Sequence, residues 1–168
     1  MQSGDLNVLA ILVNMSRLFE DFLGQLCRHL PLPGLRVKLQ YSVPFWSPDA
    51  GPDRQLRPDI VLERDGYRAL VIDAKWKTLP AAGPSMEDIR QIYAYNQYFA
   101  ASHSILLYPR SVRSERASTG LFHSHDHRLS TATMNLATGA KVDKNELIRQ
   151  LRELVEKSSI VAAKKGPA

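Results

Sequence analysis

From residue 15 the apolar positions Met15, Leu18, Phe19, Phe22, Leu23 and Leu26 return every three or four residues, the period of an amphipathic helix. Asn14 is placed to cap that helix, and Pro31 with Pro33-Gly34 stops it. The apolar run at residues 8–13 fits either an extra helical turn or a short strand. Beyond Gly34 the period changes to two. Residues 36–45 alternate around Val37, Leu39, Tyr41 and Val43 and predict a strand, and three Asp/Pro/Gly clusters in residues 47–57 predict a loop. Ile60-Val61-Leu62 and Ala69-Leu70-Val71-Ile72 flank Asp65-Gly66, the signature of a hairpin.

After a Pro/Gly-rich loop at residues 78–84, Ser85 caps a second helix, with Glu87 and Asp88 in its first turn. Ile89, Ile92, Tyr93, Asn96 and Phe99 give this helix its buried face. Residues 104–108 predict a buried strand, residues 120–127 and 131–136 a polar edge pair, and residues 143–157 a third helix. There is no internal repeat. Helix, strand, hairpin, helix, strand and additions make an α/β fold with a mixed sheet flanked by helices.

Composition narrows the class. A chain of 168 residues, 44% apolar and 23% charged, suits one globular domain, taken as residues 1–160 with a frayed tail at 161–168. The net charge of +5 is uneven: residues 1–101 hold 11 basic and 11 acidic side chains, and the excess lies behind them. Such a surplus suits a polyanionic partner without demanding one. The single cysteine, Cys27, excludes an intramolecular disulfide and a cysteine-based zinc site. With no secretory signal and no run of ~20 apolar residues, a cytoplasmic protein is expected.

The chemistry concentrates in Arg57-Pro58-Asp59 and Asp73-Ala74-Lys75. Asp73 and Lys75 are two apart at the end of an apolar strand and so leave the same face. Asp59 begins the strand paired with it. Carboxylates brought together where a buried sheet meets solvent repel one another and invite a hard divalent cation, for which Mg²⁺ suits one or two carboxylates with water and phosphate oxygens. The lysine is a compact charge able to orient or deprotonate a water, or to neutralise a phosphorane.

These residues, with 13 positions between the two aspartates, resemble the PD-(D/E)xK nuclease motif. Glu20 on the first helix and Gln91 and Tyr95, a Gln-x-x-x-Tyr pattern on the second, fall in the matching order. Leu18-Phe19-Glu20, Arg57-Pro58-Asp59, Asp73-Ala74-Lys75 and Asp88 … Gln91 … Tyr95 together are most similar to McrC, the nuclease subunit of McrBC-type modification-dependent restriction systems. The resemblance runs over roughly residues 9–155 and implies a restriction-endonuclease-like core. It further implies a Mg²⁺-dependent DNA endonuclease, with Mn²⁺ as a substitute ion, whose catalytic set is Glu20, Asp59, Asp73, Lys75, Gln91 and Tyr95. Asp59, Asp73, the carbonyl of Ala74, and Glu20 in a supporting or second-metal role would hold the ion. McrC proteins also carry an N-terminal domain that engages an AAA+ GTPase of the McrB type. Nothing ahead of the first helix corresponds to it, which counts against that partner here. Two rival readings keep the fold: a non-catalytic nucleic-acid-binding or assembly module, and a junction- or repair-type nuclease.

Three further features carry expectations. His123-Ser124-His125-Asp126-His127 falls one residue short of the His-x-His-x-Asp-His of metallo-β-lactamases and reads as an exposed edge strand. Arg110, Arg113 and Arg116 form a basic loop suited to phosphate, and Lys77 a solvated or backbone-facing lysine. Register is the third. A two-residue Asp65-Gly66 loop sets Asp59 opposite Ile72, on the wrong face from Asp73, so the site demands a turn of odd length or a bulge. A three-residue loop Arg64-Asp65-Gly66, pairing Glu63 with Tyr67 and Asp59 with Val71, is the expected form.

Overall fold

A computed structural model of the chain describes residues 12–64, 69–112, 117–123, 126–137 and 141–158. Helix α1, Met15–Arg28, is capped by Asn14, whose side chain accepts from the Arg17 N–H. Six strands form one mixed sheet: β1 Leu35–Leu39, β4 Ile60–Arg64, β5 Leu70–Ala74, β6 His103–Pro109, β8 Arg128–Met134 and β7 Thr119–Leu121, in that spatial order. β5–β6 and β6–β8 run parallel, and the other pairs antiparallel. β2 Val43–Trp46 and β3 Arg54–Leu56 pair as a separate two-stranded ribbon. Helix α2, Met86–Tyr98, crosses over between the parallel strands β5 and β6, and α3, Lys144–Lys157, closes the described chain. None of the described helices is long and apolar enough to cross a membrane.

Two cores lie on the two faces of the sheet. On one, α1 and α3 cover Ile60, Leu62, Leu70, Ile72, Ala74, Ile105, Leu107, Ala132 and Met134. α1 sits close: a Cβ on Gly24 would come 2.9 Å from Leu39 Cδ1, so glycine is what allows the contact. On the other face α2 covers Val61, Val71, Leu106, Tyr108 and Leu129 through Ile92 and Tyr95. This layering is the α/β architecture expected, with the restriction-endonuclease-like order of a mixed sheet between helices.

Several expectations are corrected. The alternating stretch at residues 36–45 is two strands in two sheets, because Gln40 adopts a left-handed backbone (φ 48) and its N–H turns to the Asp59 carbonyl at 2.8 Å. Residues 47–57 are not all loop, since Arg54–Leu56 pairs with β2. β8 lies inside the sheet and β7 alone of that pair is at the edge, so residues 131–136 are no edge strand. Met15 and Leu18 are exposed, and the buried stripe of α1 is Phe19, Leu23, Leu26 and Cys27.

The hairpin register also differs. Leu62 pairs with Leu70 and Ile60 with Ile72, so the same register carried one residue outward sets Asp59 opposite Asp73, not opposite Val71. The parity the site demanded holds, but the three-residue loop Arg64-Asp65-Gly66 does not, because Glu63 and Arg64 still belong to β4. The Asp65-Gly66 turn itself lies outside the described residues. So do Arg113, Arg116, Ser124, His125, most of the run at 8–13, and the tail at 161–168.

Candidate active site

The site lies at the carboxyl end of β5, where ligands of α/β sheets gather. Asp73 is the fourth residue of β5 and is 3% exposed, as buried as the leucines around it. Asp59 leads into β4 beside it. One Asp59 oxygen, Oδ2, accepts from the Ala74 N–H at 2.8 Å, and the other, Oδ1, from Gln40 Nε2 at 3.0 Å. The same Gln40 nitrogen donates to Glu20 Oε2 at 3.1 Å, which brings α1 to the sheet carboxylates.

Lys75 follows Asp73 on the same face, and its Nζ is surrounded by acceptors. Asp73 Oδ2 lies at 2.6 Å, Gln91 Oε1 at 3.0 Å and Asp88 Oδ1 at 3.3 Å. Gln91 is itself fixed: its Nε2 donates to the Tyr95 hydroxyl at 2.9 Å, and that hydroxyl donates to the Arg57 carbonyl at 3.2 Å. The chain of bonds forces the Gln91 carbonyl toward the lysine. Asp88, in the capping box that Ser85 opens, also accepts from Lys77 Nζ at 2.8 Å.

The electrostatics follow from burial. Asp73 is pushed up to about 6 by burial first and by the charge of Asp59 second, with Lys75 opposing both. Burial also raises Asp59, with Glu20 adding to it, while the Ala74 and Gln40 hydrogen bonds pull it down. Glu20 is raised by burial and by Asp73 against the Gln40 bond. Lys75 rises despite burial, because Asp73 and Asp88 favour its charged form. Asp88 resists burial and is held at about 2 by hydrogen bonds from Lys77 and Ser85 and by the lysine charges. Burial pushes the Tyr95 hydroxyl up to about 12.

The expected set of Glu20, Asp59, Asp73, Ala74, Lys75, Gln91 and Tyr95 is therefore one connected cluster. The donor chemistry fits a hard divalent ion. Asp59 and Asp73 are adjacent carboxylates, and Asp73 Oδ2 is a buried oxygen with no aligned hydrogen bond even though the Lys75 charge is close. Among the described residues no group of three or more His, Cys, Asp or Glu side chains forms a metal cage, so an ion here would take two carboxylates and complete its shell with other oxygens.

Gln40 escaped the sequence reading, and Asp88 was read as part of the family pattern but not as a site residue. Gln40 lies inside what reads as one alternating strand over residues 36–45, and no local signal marks it. Asp88 was visible as a helix-start acid, but its reach to both lysines depends on where α2 lies. Tyr108 of β6 is fully buried on the same face of the sheet, with an unpartnered hydroxyl. Within the histidine string His127 is not an exposed strand residue: it is buried against α2, its ring nitrogens 3.0 Å from the Asn96 and Gln97 amides. Lys77 is solvent-exposed as expected and is in addition held by Asp88. Arg110 is exposed, and its N–H donates to the Met134 carbonyl.

Similarity to known proteins bears on the fold and the family. Among solved structures, the fold matches that of a chain in the refined half-complex from a tetradecameric assembly of Thermococcus gammatolerans McrB AAA+ hexamers with bound McrC. The TM-score is 0.64 at 22% identity, over 84% of this chain and 34% of that one. The present chain thus spans about a third of the length of the chain it matches. No curated protein sequence matches it. The family model described as McrBC 5-methylcytosine restriction system component matches residues 1–109, a span that includes Glu20, Gln40, Asp59, Asp73, Lys75, Asp88, Gln91 and Tyr95. With more than half its length matched and the cluster inside the match, the chain belongs to the McrBC 5-methylcytosine restriction system component family.

Proposed function

We propose that this chain is a divalent-metal-dependent endodeoxyribonuclease, the nuclease component of a McrBC-like 5-methylcytosine restriction system. The observation that carries the reading is the meeting of Asp59 and Asp73 at the carboxyl end of β5, with the Lys75 ammonium 2.6 Å from Asp73. Two carboxylates so placed are costly in an apo protein and become favourable beside a divalent ion. Asp59 and Asp73 would hold Mg²⁺, or Mn²⁺ in its place, with the Ala74 carbonyl as a further oxygen. Bound there, the ion supplies Lewis-acid activation of a phosphoryl oxygen and a water of lowered pKa.

The chain's own residues do the rest. Lys75 positions the attacking water and offsets negative charge as the phosphorane forms. Gln91, pinned by Tyr95 and the Arg57 carbonyl, keeps the lysine on that line, and Asp88 holds it from the α2 side. Glu20 supports Asp59 through Gln40. For the partner, we infer an AAA+ GTPase of the McrB type, supported by family membership and by the McrB–McrC assembly in which the similar chain is found.

The test is cleavage of methylated and unmethylated plasmid by the chain with its GTPase partner and GTP, with and without Mg²⁺. Cutting should require the ion, and Asp73→Ala should reduce it by about 10³-fold or more. Cleavage that survives EDTA overturns the reading. Salt-sensitive DNA binding without cleavage favours the non-catalytic module, and cutting that ignores both methylation and the GTPase favours a junction- or repair-type enzyme.

A further inference from the structure

Gln40 joins the two halves of the site, and its bearing on how many ions the carboxylates hold goes beyond the support it gives Asp59. Its backbone is left-handed at φ 48, a conformation rare for a residue with a β-carbon and natural for glycine. That turn ends β1 and swings the side chain beneath the carboxylates. A primary amide nitrogen has two hydrogens. Here one goes to Glu20 Oε2 at 3.1 Å and the other to Asp59 Oδ1 at 3.0 Å, while the Gln40 N–H is fixed to the Asp59 carbonyl at 2.8 Å. Glu20 comes from α1, and besides the shared amide its charge acts directly on Asp59 and Asp73.

We propose that Gln40 is the positioning residue that couples Glu20 to Asp59, its neutral amide standing where a second cation would otherwise bridge the two carboxylates. This rests on the metal-binding reading of Asp59 and Asp73. It assigns Glu20 a supporting role and removes it from the direct ligands for as long as the amide is present. The two carboxylates face each other, and each receives from Gln40 a hydrogen bond that carries no net charge. Their repulsion is relieved without a metal, and the Asp59–Asp73 pair is left as the place for one ion.

The experiment is calorimetric titration of the intact chain with Mn²⁺ in the absence of nucleic acid, with thermal melting to confirm folding. Gln40→Gly keeps the left-handed backbone free of strain and deletes the amide. Wild type is expected to take up one equivalent, lost in Asp73→Ala. Gln40→Gly is expected to take up a second equivalent, lost again when Glu20→Gln is added. If Gln40→Gly does not fold, Gln40→Asn, which tolerates the same backbone and is a methylene too short to span both acids, should show the second equivalent instead. Two equivalents in wild type overturn the proposal, as does a single equivalent of unchanged affinity in the folded variant. Both of those results leave the metal reading standing. No uptake by wild type removes that reading and this proposal together.

Discussion

β4 and β5 carry two kinds of chemistry on alternate residues. Toward α1 and α3, Ile60, Leu62, Leu70, Ile72 and Ala74 fill a dry core. Toward α2, Val61 and Val71 give way to Asp59, Asp73 and Lys75 at the end where the strands meet solvent. Ile72 is fully buried and its neighbour Asp73 only 3% exposed, so accessibility does not separate them. Their energetics do. Burying Ile72 stabilises the fold, whereas burying the Asp73 carboxylate opposes it. The α1 side therefore serves stability, and the α2 end of the same two strands gathers the charges that oppose it.

The largest effects should come from separating these sides. Lys75→Ala should lower turnover by about 10²–10³-fold while the variant still folds and binds Mn²⁺. Ile72→Ala should do the reverse, costing about 2–5 kcal/mol of stability and leaving turnover per folded molecule intact. Denaturant melts and single-turnover cleavage distinguish them. Full activity in Lys75→Ala would remove that lysine from its role.

A subtler break uses pH. Asp73 sits at about 6 in the fold against an ordinary 3.8, so the folded chain binds that proton more tightly than the unfolded chain. Its stabilising contribution is present below the ordinary value and is lost as pH rises through about 6. Asp88, held at about 2, runs the other way: its contribution is present above 3.8 and is lost as pH falls toward 2. In EDTA, Asp73→Asn should therefore gain stability relative to wild type between pH 4 and pH 6. A constant difference across that window would show that the Asp73 carboxyl titrates normally. The smallest effect belongs to the start of α2. Ser85→Ala removes the cap that shares Asp88 with the lysines and should cost about 1 kcal/mol in thermal melts, with far less loss of turnover than Lys75→Ala.

What the sequence disclosed tracks how local each determinant is. The three helices, the Asn14 and Ser85 caps, the strand at Leu70–Ala74 and the Asp73–Lys75 pair are written in periods of two and three to four, and they stand where the pattern puts them. The face shared by Asp59 and Asp73 was legible as a parity requirement. The pairing itself was not, because it depends on how the turn is built. Gln40 was hidden for a different reason: its conformation answers to a carbonyl and two carboxylates 19 or 20 residues away, and strand alternation masks it. β3 is three residues long among turn-formers, too short for a period to register. His127 read as solvent-facing because the helix that buries it lies 30 residues earlier.

The hydrogen bond from the Gln40 N–H to the Asp59 carbonyl ties off the intervening chain at its neck. Between them the β2–β3 ribbon, anchored by buried Val43, by Leu56 on the core and by the Arg57 carbonyl on Tyr95, carries exposed Phe45 and Trp46 outward and returns to the same point. Closing such a loop depends weakly on length: doubling it costs about 0.6 kcal/mol. The outer turn of the ribbon, residues 47–53, is thereby a free attachment point. It can be lengthened, trimmed or exchanged to meet a different surface while the carboxylates at its base keep their places.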